Sequence, residues 1–79
     1  MDRKLQQYYE DRFSMMATAG WKDLMSDVDN LYSEYNKVSG LGANDLDFRK
    51  GQLDILNWLL SLHDVSSQVY EELSNETLL

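Results

Sequence analysis

The sequence contains no cysteine and no proline, only four glycines, and seven basic residues against fourteen acidic ones in 79. Without cysteine there are no disulfides and no thiolate metal sites. Without proline and with thirteen leucines, propensity favours helix over sheet. The deficit of Lys and Arg leaves a formal charge of −7. That argues against direct nucleic-acid binding, because phosphate backbones are neutralised by basic side chains. Long apolar runs are missing too: the longest is Trp58-Leu59-Leu60, and residues 1–7 lack a signal-like apolar stretch. A soluble, intracellular chain with no membrane association is expected, so Asn75-Glu76-Thr77 reads as a chance match to the glycosylation pattern.

A chain of 79 residues is one domain, and one that buries a small share of its surface, so a partner chain is a natural supplement. Breaks at Thr18-Ala19-Gly20 and Ser39-Gly40-Leu41-Gly42 divide it into helices at about 2–17, 19–38 and 45–74. Thr18 suits the N-cap of the second and Asn44 that of the third, with Asp45 and Asp47 near its start and Asp45 four residues before Arg49. The fold class expected is all-α, an antiparallel helical hairpin or small three-helix bundle completed by oligomerisation. The six-residue Ser39–Asn44 linker makes helices two and three antiparallel neighbours.

Leu24, Val28, Leu31, Tyr35 and Val38 follow the four-three spacing of a helix–helix seam, flanked by Asp23, Asp27 and Glu34. Leu5, Tyr9, Phe13 and Met16 form a weaker line on the first helix, which could fold back on its own chain or swap to another. The third helix is apolar over a wide arc. Leu46, Leu53, Leu56, Leu60 and His63 lie on one side, and Phe48, Ile55, Leu59, Leu62 and Leu73 on another. Trp58 and Val65 are a heptad apart near the polar back, beside Val69. Trp58, Leu62, Val65, Val69 and Gly51 are therefore the candidate partner interface. Gly51 inside a helix disfavours it by about 1 kcal/mol relative to Ala, which suggests close approach by Trp21 or by an aromatic of a neighbouring subunit.

Chemistry-bearing patterns are thin. His63, the single histidine, reads as a core or interface residue rather than a general base, and adjacent Asp64 points elsewhere on a helix. Asp27-Val28-Asp29 and Asp45-Leu46-Asp47 begin like calcium loops, yet Leu31 and Arg49 stand at the fifth positions and no glycine follows at the sixth. Gly40-Leu41-Gly42 is a turn rather than a phosphate loop. No nucleophile, base and orienting group can be assembled, so no enzyme, cofactor or metal site is expected. Tyr8, Tyr9, Tyr32, Tyr35, Trp21 and Trp58 suit protein packing better than base stacking in so acidic a chain. Arg12 and Arg49 are placed to pair with Asp23 or Asp27. All seven basic residues lie in residues 1–50, whereas 51–79 carry five acids and no Lys or Arg. Asp54, Asp64, Glu71 and Glu72 thus form a candidate acidic surface.

Three blocks, Tyr8-Tyr9-Glu10-Asp11-Arg12-Phe13, Gly20-Trp21-Lys22-Asp23-Leu24 and Phe48 through Leu60, resemble a group of small proteins encoded by tailed bacteriophages. The likeness runs over about residues 5–73 and is most distinctive at Phe48–Leu60. It implies a phage origin, a helical hairpin-like fold and a non-enzymatic role, but no site residues. The expected function is a protein–protein interaction module, a virion or assembly-associated subunit that self-associates or docks on a larger phage structural protein. The alternative is an acidic inhibitor occupying a basic nucleic-acid-binding surface of a host protein. Either places the protein in the host cytoplasm or the virion.

Overall fold

Each helix starts where the sequence offers its backbone a partner. In the computed structural model, which describes residues 1–78, α1 spans Arg3–Met16, α2 Ala19–Tyr35 and α3 Ala43–Leu78. The Asp2 carboxylate accepts from the Lys4 N–H at 2.7 Å and caps α1. Thr18 serves two helices: its hydroxyl donates to the Met15 carbonyl at 2.7 Å and accepts from the Trp21 N–H at 3.2 Å. One side chain thereby closes α1 and opens α2, fixing the break that separates them. Gly40, at φ 87°, makes the turn after α2, a conformation that costs a residue with a Cβ and suits glycine.

Three boundaries differ from those read in the sequence. The second helix stops at Tyr35 rather than residue 38, because the Gly40 turn draws Val38 into the connection. The third starts at Ala43, with the Leu46 N–H bonded to the Gly42 carbonyl at 2.8 Å. Gly42 therefore stands at the helix start and Asn44 lies inside the first turn. At the other end α3 continues to Leu78, four residues past the expected stop, since no glycine or proline interrupts it.

At 36 residues α3 is about 54 Å long and sets the 53 Å long axis of the molecule. The radius of gyration is 16.8 Å, well above the roughly 12 Å of a compact chain this size. Of the two expected arrangements the contacts follow the hairpin: α2 runs back along the first half of α3, with Tyr35 against Arg49. Helix α1 packs on the second half of α3 in its own chain. Phe13 meets His63, Arg12 meets Ser66 and Tyr9 meets Tyr70, so α1 too lies against α3 in the antiparallel sense.

The enclosed interior is small: among the described residues only Met16, Val28 and Ser66 are buried. The inward line of α2 is Trp21, Met25, Val28, Tyr32 and Tyr35, half-buried except for the buried Val28. It keeps the expected four-three rhythm but is turned toward the aromatic side: of the seam read as Leu24, Val28, Leu31, Tyr35 and Val38, Val28 is buried and Tyr35 and Val38 are half-buried, whereas Leu24 and Leu31 are not covered. Leu24 and Leu31 face solvent at 50% and 41% exposure. The large rings of Trp21 and Tyr32 take the packed flank, and the leucines opposite are left outside.

Candidate interaction face on the third helix

The second half of α3 is held to α1 by interlocking rings and one buried polar contact. Phe13 and Tyr70 meet edge to face at 5.6 Å, Tyr9 and Tyr70 at 6.1 Å, and His63 presents its ring to Phe13 at 5.9 Å. Such pairs contribute about 0.5–1.5 kcal/mol each beyond burial. Arg12 Nη1 donates to Ser66 Oγ at 2.9 Å, and the guanidinium also reaches the Tyr8 hydroxyl and lies over the Tyr8 ring at 4.6 Å. Ser66 is the most buried polar residue described, and Arg12 satisfies its hydroxyl.

Arg49 makes the corresponding tie in the first half. Its Nη1 donates to the Tyr35 carbonyl at 3.1 Å and its guanidinium sits 4.9 Å above the Tyr35 ring, while Nε is buried without a hydrogen-bond partner. Tyr35 is the last residue of α2, so a cation meets an orphan carbonyl at the negative end of the helix dipole. The pairing of Arg12 and Arg49 with Asp23 or Asp27 is thereby corrected. A hydroxyl and a helix end take the guanidinium groups instead.

Beyond these ties α3 presents an apolar stripe. Phe48, Gly51, Ile55, Trp58, Leu62, Val65 and Val69 follow steps of three and four, the spacing of a helix seam. Phe48, Ile55, Trp58 and Val65 are 71%, 68%, 57% and 47% exposed. Leu62 and Val69 are half-buried, flanked by residues that α1 covers. At the start of the stripe is an open apolar groove of about 530 Å³, lined by Tyr35, Phe48, Gly51, Gln52, Ile55 and Leu56 with Asp47 at its rim. Leu31 and Leu24 lie one and three turns before Tyr35 on α2 and are themselves exposed at 41% and 50%.

The candidate interface residues thus share one side of α3. Gly51 is not approached by Trp21, however: a Cβ built there meets nothing within 4 Å, because the groove above it is empty. The stripe also includes Phe48 and Ile55, which sequence reasoning assigned to packing. Their heptad relation to Leu62 and Val69 was the signal that could have grouped them.

Of the two places expected for His63, core or interface, it does not take the core. It is exposed beside Phe13, and its Nδ1 lies 3.5 Å from Asp64 Oδ1, so neighbouring side chains on the helix surface do reach each other. Asp54, Asp64, Glu71 and Glu72 are all exposed. Among the described residues no cluster of three or more His, Cys, Asp or Glu could hold a metal ion, and no helix is long and apolar enough to cross a membrane. No protein-family model, curated protein or solved structure matches this chain.

Proposed function

We propose that this chain has no chemistry of its own and acts as a helical protein–protein interaction module, docking through the outward stripe of α3 as a virion or assembly-associated phage protein. The observation that carries the reading is the stripe itself: four large apolar side chains, each about half exposed or more, in heptad register on a 36-residue helix. Scattered exposed leucines need no explanation, but a contiguous apolar face does. The phage setting is supported by sequence resemblance alone. Its most distinctive block, Phe48–Leu60, coincides with the first half of the stripe.

Particles purified from infected cells test the proposal by mass spectrometry. The wild-type chain is expected in them and the Ile55→Glu chain is expected to be lost, with helical content by circular dichroism unchanged because Ile55 is 68% exposed. Equal incorporation of both would overturn it.

A second reading draws on the exposed acids after Lys50, which suit a basic surface of a host protein. From Asp54 to Glu72 four carboxylates spread over about 27 Å of helix, far sparser than a phosphate strand at roughly one charge per 3.4 Å. The apolar stripe is the better-supported surface. Absence from particles, with host-protein binding that weakens as salt rises, would favour the acidic reading.

A further inference from the structure

We propose that the occupant of this face is a second copy of the same chain, its α3 packed antiparallel to the first about a two-fold axis passing between Ile55 and Trp58. The inference rests on the reading of the stripe as a docking surface and names the partner.

Register is the first argument. A seam of alternating three- and four-residue steps fits another α-helix carrying the same seam, knob into hole. About the stated axis Phe48 lies opposite Val65, Ile55 opposite Trp58, and Gly51 opposite Leu62. Each pair sets a bulkier side chain against a smaller one. The Gly51 position is the most telling: the open groove there, with nothing within 4 Å of an added Cβ, leaves room for Leu62 of the other copy. Two-fold packing needs such a self-complementary surface, in which each contact occurs twice.

Charge selects the direction. Glu72 follows Trp58 and Val65 on the same heptad line, and residues 51–79 contain five acids and no base. Parallel packing would set Glu72 beside its own copy and align two purely anionic ends, which is repulsive. Antiparallel packing separates those ends and brings each level with the start of the other α3. Access is preserved because α1 leaves Trp58 and Val65 exposed at 57% and 47%.

The native sequence has no cysteine, so two single-cysteine chains, Phe48→Cys and Val65→Cys, provide a clean readout. Mixed in equal amounts and oxidised, they are expected to give the mixed disulfide well in excess of either like-with-like disulfide. Light scattering of the native chain is expected to report the mass of a dimer, and Ile55→Glu to weaken association by at least about tenfold. Dominant like-with-like disulfides would overturn the antiparallel arrangement, and a monomeric native chain without cross-linking would overturn the second copy. A monomer whose incorporation into particles is nevertheless abolished by Ile55→Glu overturns this inference while leaving the docking face standing. A chain indifferent to Ile55→Glu in both experiments overturns both.

Discussion

The two halves of α3 carry one apolar stripe and treat it differently. Around residues 62–70 the helix is packed by α1, whose Tyr9, Phe13 and Arg12 engage Tyr70, His63 and Ser66 and leave Leu62 and Val69 half-buried. Around residues 48–58 the same line has α2 on one side only, and Phe48 and Ile55 remain open at 71% and 68%. Apolar residues seven apart therefore contribute to the fold in one half and to a free surface in the other. A periodic pattern shows that a face is suited to cover; what lies across from it decides whether the cover is internal.

The largest expected effect breaks the covered half. Phe13→Ala removes the ring that meets Tyr9, Tyr70 and His63. Deleting a fully buried phenylalanine costs about 3–5 kcal/mol; at a half-buried site the expected loss is about 2 kcal/mol, a fall in melting temperature of roughly 10 °C for a chain this size. Hydrogen exchange should then show α1 opening while α2 stays protected. Uniform loss of protection over all three helices would contradict the division of α3 into halves.

Next comes Arg12→Met, which keeps a long apolar stem over the Tyr8 ring but leaves the buried Ser66 hydroxyl without its donor. An orphaned buried polar group costs about 1–3 kcal/mol. The double change with Ser66→Ala should recover part of that loss in a thermal melt, because neither partner is then left unpaired. No recovery would mean that Arg12 acts through packing alone.

Much of this architecture is legible in the sequence because it depends on local rules. Thr18 as a cap, the Gly40 turn and an all-helical chain of three segments all follow from side chains acting on their own backbone. Of the line Leu5, Tyr9, Phe13 and Met16, the last three face inward as the spacing predicts, while Leu5 is exposed. What was not legible is the choice between equivalent flanks. Around Val28 the sequence offers Leu24 and Leu31 on one side and Met25 and Tyr32 on the other, and periodicity fits both. The ends of Arg12 and Arg49 were hidden for a different reason: a backbone carbonyl and a serine hydroxyl carry no formal charge to mark them as partners. The outward stripe of α3 was grouped in part, as Trp58, Leu62, Val65, Val69 and Gly51. Phe48 and Ile55 belong to it because the first helix ends its cover before reaching them.

A smaller effect of opposite sign is expected at Gly51. With nothing within 4 Å of a Cβ there, Gly51→Ala meets no obstacle within the chain and should stabilise an isolated monomer by about 1 kcal/mol through helix propensity. In a packed seam the added methyl narrows the space opposite Leu62. A melt in dilute solution should rise by several degrees, whereas association measured at higher concentration should weaken. If both rise together, Gly51 is a helix defect with no role in packing.

The smallest expected change in stability separates the halves most sharply. Ile55→Ser removes a large apolar side chain, yet at 68% exposure it takes little from the interior. A substitution of this kind usually shifts stability by no more than about 0.5 kcal/mol. Dilute Ile55→Ser should therefore melt within a few degrees of the native chain, while Phe13→Ala does not. Raising the concentration changes the comparison. If copies associate through the stripe, the native melting temperature climbs with concentration, because binding stabilises whichever state binds. The Ile55→Ser curve should stay flat, so the gap between them widens with each increase. A constant gap would place Ile55 in the covered half of the comparison, holding its own chain together. A widening one measures, in degrees, the association that the first half of α3 leaves available.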